Sequence, residues 1–199
     1  RIKLTAIITK IYPSLYPLLG PDMFAQICRS FPVQRLVRTR PPQRMVSIAL
    51  NQKIVGGCYC KNISLVMTLP PAEYQARACD CEFCRKHSAA YVSDPKGSLE
   101  IKVKETSALG RFRQESDDNA EFLHCKRCGV LIGAIHQCVG EGENNKIIGA
   151  VNRLAIDQAA ELFPQVTTVQ PRLLTREEKV RRWKEKWFQD VKISFQSGK

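Results

Sequence analysis

Seven of the nine cysteines fall in three tight clusters. They are Cys58-Tyr59-Cys60, Cys79-Asp80-Cys81-Glu82-Phe83-Cys84, and Cys125-Lys126-Arg127-Cys128 followed by Gly129. Thiolates at such spacing are ligands for a borderline-soft metal ion, above all Zn²⁺. On a strand, residues two apart point the same way, so Cys58 and Cys60 can face one ion. A C-x₂-C closed by glycine is a zinc knuckle, in which a tight turn aims both sulfurs and backbone amides hydrogen-bond to them. The middle three thiols can converge on one ion from one loop.

Other uses of these cysteines fit less well. A disulfide network leaves one of three sulfurs unpaired, and the odd total argues against the framework of a small secreted domain. A redox C-x-x-C starts a helix after a strand, whereas the strand-like Val130–His136 follows Gly129. Structural zinc takes four ligands, and reactive zinc takes three with an open position. Seven cysteines divide accordingly. Cys58, Cys60, Cys125 and Cys128 form the expected closed site, joining early strands to late ones. Cys79, Cys81 and Cys84 form a second site with one vacancy. His87, three residues beyond Cys84, is the alternative occupant of that vacancy. Two Zn²⁺ per chain are expected.

A zinc held by three thiolates carries a net negative charge and is a weaker Lewis acid than one held by histidines. Water activation is therefore disfavoured relative to capture of a soft ligand. An incoming thiol can take the vacancy as thiolate and attack an aldehyde. Arg85 and Lys86 are candidate contacts for the carboxylates of such a thiol, or else offset the thiolate charge. Phe83 either lines the pocket or packs.

The elements that must position these residues are mostly strands. Lys53–Cys60, Asn62–Leu69, Leu99–Lys104, Ala108–Gln114, Ala120–His124, Val130–His136 and Lys146–Val151 all read as strands. In the third, Leu99, Ile101 and Val103 alternate with charged residues at period two. Turn residues separate them at 94–97, 116–119 and 140–145. Asp157–Phe163 reads as a short helix ended by Pro164. Thr175 and Glu178 form a capping-box pattern, and Val180, Trp183, Trp187 and Val191 then recur on one helical face. A C-terminal amphipathic helix over 175–191 follows, its tryptophans expected to pack on the β core.

These clusters resemble the glutathione-dependent formaldehyde-activating enzyme family, which includes centromere protein V. The resemblance runs from about Gly56 to Asp157. It rests on Gly57-Cys58-Tyr59-Cys60, on Cys79-Asp80-Cys81-Glu82-Phe83-Cys84-Arg85-Lys86, on Cys125–Gly129, and on Val151-Asn152-Arg153-Leu154. It implies a mainly β, zinc-stapled sheet fold like that of the mammalian suppressor of sec-four proteins, with the same closed and open zinc sites. It also implies carbon–sulfur lyase activity of the S-(hydroxymethyl)glutathione synthase type, with Cys79, Cys81 and Cys84 catalytic through their zinc and glutathione as thiol partner. The chain departs from the family in three places. Lys61 stands where a glycine is usual, His124 where an aromatic residue often precedes the last pair, and His87-Ser88-Ala89-Ala90 where the family carries a glycine.

The chain has 199 residues, 44% of them hydrophobic, and a formal charge of +12. That allows one ordinary domain and an extension. No stretch approaches the ~20 apolar residues that span a bilayer, so no membrane partner is expected. Residues 1–50 hold eight Lys/Arg against one acid, Asp22, together with six prolines. They read as a basic N-terminal extension, as a transit segment, or as part of the core, with Met45 an internal start. Residues 51–199 form the zinc-binding domain. A cytoplasmic location is expected, or a mitochondrial one if residues 1–50 are a transit sequence. The competing function is a non-catalytic zinc-stapled module that binds a partner through the basic extension, nucleic acid being the candidate. Cys28 and Cys138 lie outside the clusters and are ordinary core or free cysteines, or the extra thiols of a zinc store or redox sensor.

Overall fold

A computed structural model describes residues 52–114, 120–138 and 146–196. The N-terminal extension, Cys28 and the turn segments 116–119 and 140–145 lie outside the described residues. Eleven strands and three α-helices are present among those described. In chain order the strands are β1 (Lys53–Gly57), β2 (Ile63–Thr68), β3 (Ala76–Cys79), β4 (Ala90–Val92), β5 (Ser98–Val103) and β6 (Leu109–Arg113). They continue with β7 (Ala120–Cys125), β8 (Leu131–Gln137), β9 (Ile147–Asn152), β10 (Val166–Val169) and β11 (Asp190–Phe195). The helices are α1 (Glu82–Lys86), α2 (Ala159–Leu162) and α3 (Arg176–Lys186). The fold is therefore mainly β with a C-terminal helix, as expected.

The strands form two sheets, one ordered β1-β2-β5-β11 and the other β10-β3-β4-β9-β8-β7-β6. Period-two patterning decides how they pack. In β2, Ile63, Leu65 and Met67 are buried, and in β5 Leu99, Ile101 and Val103 are. These side chains share one core with Leu123 and Cys125 of β7 and Val151 of β9. The other face of the larger sheet presents Ala120 and Phe122 of β7 and Ile148 and Ala150 of β9. Burying roughly a leucine's worth of side chain contributes about 2 kcal/mol, so both faces need cover. The four-stranded sheet covers one face, and α1 and α3 cover the other through Cys84, Trp183 and Trp187.

Helix α3 starts as the sequence indicates. The Thr175 hydroxyl accepts from the Glu178 amide at 3.3 Å, and the Glu178 carboxylate accepts from the Thr175 amide at 2.8 Å. It ends at Lys186, short of residue 191. Phe188 is fully buried and exchanges two backbone hydrogen bonds with Gly149, which draws the chain out of the helix. Val191 then lies on β11, paired in parallel with Leu99 of β5. The helical spacing of Val191 continues that of Trp187 only by coincidence. No glycine or proline marks the stop.

A second close approach ties the C-terminal half to β1. The Asp157 amide donates to the Val55 carbonyl at 3.0 Å, and Gly56 bridges Ile156. A Cβ on Gly56 would stand 2.1 Å from the Ala155 carbonyl oxygen, so only glycine fits.

Candidate functional site

The first thiol cluster forms where the two sheets meet. Cys58 and Cys60 sit in the turn between β1 and β2. Cys125 ends β7, and Cys128 follows it in the knuckle. All four sulfurs lie within 4.8 Å of one another. Cys58 Sγ is 3.6 Å from Cys60 Sγ, which is 3.5 Å from Cys125 Sγ. A tetrahedron with ~2.3 Å metal–sulfur bonds places sulfurs somewhat under 4 Å apart, so the donor set suits a zinc ion. A disulfide requires ~2.05 Å, and none of the seven clustered cysteines is disulfide-bonded.

Backbone amides complete the arrangement. The Ile63 amide donates to Cys58 Sγ at 3.1 Å. In the knuckle the Gly129 amide donates to the Cys125 carbonyl at 2.8 Å, with Gly129 at φ +74°, where a Cβ is disfavoured. Burial first of all pushes the Cys125 thiol up to about 12. Burial also opposes ionisation of Cys128, yet backbone hydrogen bonds at Cys60 and Val130 bring it down to about 6. Gathering further thiolates here needs a cation.

The second cluster lies on the opposite face of the larger sheet. Cys79 ends β3, Cys81 is the N-cap of α1 and Cys84 lies within α1. Their sulfurs are within 4.8 Å of one another. Among the described residues no fourth metal-type donor joins them. His87 packs its ring 4.5 Å from that of Phe83. Two neutral side chains reach the sulfurs: the Tyr91 hydroxyl is 3.3 Å from Cys84 Sγ, and Gln114 Nε2 donates to Cys81 Sγ at 3.7 Å.

Hydrogen bonding among the three thiols spreads their tendencies to ionise apart. Hydrogen bonds from Cys79 and then Cys84 pull Cys81 down to about 2. Cys79 is pushed up to about 11, chiefly by its bond to Cys81, and Cys84 far above the thiol range, chiefly by its bond to Cys79. Three crowded thiols do not all ionise unaided, and a divalent cation is the natural remedy. Burial, then the nearness of Cys84, raises the Tyr91 phenol well above its usual value. It therefore stays protonated and would donate to Cys84 Sγ, 3.3 Å away, if a metal ion held that sulfur as thiolate.

A cavity of about 310 Å³ opens onto this trio. Cys79, Cys81, Cys84, Tyr91 and Gln114 line its floor. Phe122, Trp183 and Trp187 form an apolar wall, the two indoles stacked at 4.9 Å. Four cations complete the lining: Arg77, Arg172, Lys179 and Arg182. The tryptophans thus pack on the β core, as expected, and also face the cavity.

The residues expected as substrate contacts lie outside this cavity. Phe83 stacks on Phe112 at 4.8 Å and packs against Phe122. Lys86 is exposed and ion-paired with Glu82 at 2.9 Å. Arg85 lines a shallower depression that touches Cys79 and Cys84 from another side. The cavity cations escape a sequence reading because none belongs to a motif. One signal is present: Lys179 and Arg182 flank the Val180–Trp183 stripe on the face of α3 that packs inward.

Residues 53–170 match the family described as glutathione-dependent formaldehyde-activating enzyme. The match spans more than half of the chain, and the protein belongs to that family. No curated protein matches. Among solved structures, a crystal structure of a Rhodobacter sphaeroides protein is 22% identical, covering 52% of this chain and 87% of that one at a TM-score of 0.38.

Proposed function

We propose that this protein is a zinc-dependent carbon–sulfur lyase that forms or cleaves the adduct between a glutathione-like thiol and formaldehyde or another small carbonyl. Family membership supports the reaction class. The observation that carries the reading is the position of the trio: three thiols, with no fourth metal-type donor among the described residues, form the floor of a cavity of about 310 Å³.

In this reading Cys58, Cys60, Cys125 and Cys128 hold a structural zinc, and Cys79, Cys81 and Cys84 hold a second. Bound there, a zinc ion supplies a coordination position at which a thiol is stabilised as thiolate. The chain's own residues do the rest. Tyr91 and Gln114 hold Cys84 and Cys81 by hydrogen bonds and spread their charge. Phe122, Trp183 and Trp187 exclude water from the reacting sulfur. The surrounding cations offset the negative charge that accumulates when a fourth thiolate joins three. In the forward direction a carbon–sulfur bond forms, the carbonyl π bond opens onto oxygen, and the thiol proton ends on that oxygen. Cleavage is the reverse, and neither direction needs an oxidant or reductant.

The test is exchange of formaldehyde between its free and thiol-bound forms, followed by NMR with metal-loaded protein. Exchange faster than the spontaneous reaction, and lost in Cys79→Ser, supports the reading. A rate equal to background with two zinc ions bound would refute it.

A further inference from the structure

The cavity above the trio is not built by the family-matching segment alone. That segment ends at residue 170, yet Pro171, Arg172, Lys179, Arg182, Trp183 and Trp187 all line the cavity. The C-terminal segment therefore supplies one wall, with three of the four cations and both tryptophans.

Two of the cations are poorly compensated. Arg77, half-buried on β3, donates to the Ser93 hydroxyl, which in turn donates to the Lys186 carbonyl at 2.8 Å. This chain of hydrogen bonds fixes Arg77 against the end of α3. Among the described residues no carboxylate forms an ion pair with Arg77 or Arg182. Burial first, and then the Arg182 charge, lower the Arg77 pKa from its usual value, while Asp94 acts in the opposite sense. Arg172 differs in being held by Asp80, the residue between two of the thiols, with Nε donating at 2.7 Å. Two guanidiniums that repel each other while lining one partly apolar cavity, neither ion-paired, are arranged for an anion.

We infer that the C-terminal helix determines substrate specificity: Arg182 and Lys179 of α3, together with Arg77 of β3, bind the carboxylates of an anionic thiol whose sulfur reaches the trio. The Trp183–Trp187 pair separates the carboxylate end from the sulfur end and packs on the apolar part of the ligand between them. The favoured class is a peptide-like thiol bearing free carboxylates, over neutral small thiols. This deepens the proposed reaction and rests on it for the orientation of the ligand, while the anion preference stands on the cations themselves.

The test is titration calorimetry on the metal-loaded full chain with glutathione and with glutathione diethyl ester, which keeps the thiol and removes the carboxylates. The parent protein binds the free acid about tenfold or more tightly than the ester. Arg182→Gln and Lys179→Gln erode that preference, Arg182→Lys restores part of it, and Arg181→Gln on the exposed side of the same helix keeps it. Equal binding of acid and ester by the parent, or no binding of either, overturns the inference without recourse to any variant. Discrimination without turnover would refute the proposed reaction and leave this inference standing. Turnover without discrimination would do the reverse.

Discussion

Cys60 and Cys125, separated by 65 residues of chain, bring their sulfurs to 3.5 Å. The contact joins the turn of the four-stranded sheet to the end of a strand in the seven-stranded sheet, so a metal there acts as a cross-link between layers. Loss of a ligand at this site should unfold the protein, because a structural zinc contributes on the order of 10 kcal/mol of apparent binding free energy. Cys125→Ser should abolish the cooperative thermal transition or lower its midpoint steeply. Cys81→Ser should keep a native-like melt and lose the metal of the second site only. Melts and elemental analysis on both variants check this, and equal destabilisation would count against distinct roles.

The Tyr91 hydroxyl lies 3.3 Å from Cys84 Sγ within a buried strand. Tyr91→Phe keeps the ring and removes the hydrogen bond. Removal of such an outer-shell partner lowers metal affinity or activity about 10–100-fold. Competition with a chelator should show weaker retention of the second metal alone, with the first unaffected.

Two of the chain's departures from the family pattern coincide with strained backbone. Lys61 has φ +59° and Ser88 φ +48°, the left-handed region that glycine adopts freely. One stands where the sequence resemblance implies that a glycine is usual, and the other within the stretch for which it implies one. The side chain at each position costs about 1 kcal/mol. Lys61→Gly and Ser88→Gly should therefore each raise stability by a few tenths to about 1 kcal/mol, net of the greater freedom of glycine in the unfolded chain. Lys61→Ala should give no such gain. Denaturant midpoints for the three variants decide the matter.

Much of this architecture is legible in the residues. The seven cysteines announce two donor sets, and the period-two run Leu99–Val103 announces a strand with one buried face. The capping box at Thr175 announces the helix. Short strands such as Ala90–Val92 do not show, because three buried residues carry no period. Strand β11 does not show because Val191 happens to fall at helical spacing from Trp187. The cavity cations are invisible for a different reason. Arg77 belongs to no motif and to no periodic pattern. Only the topology brings it into one cavity with Arg182: β3 pairs with β10, and Arg77 is tied through Ser93 to the end of α3.

The central claim is that Cys79, Cys81 and Cys84 hold a metal ion that still accepts a thiol from solution. Cobalt substitution tests it most directly, because thiolate-to-cobalt charge-transfer absorption grows with the number of sulfurs bound. Titration of the cobalt-loaded full chain with glutathione should raise that absorption in a saturable way, to the extent of one thiolate per chain, and Cys81→Ser should abolish the rise. A spectrum that glutathione leaves unchanged, with both sites loaded, would contradict the account.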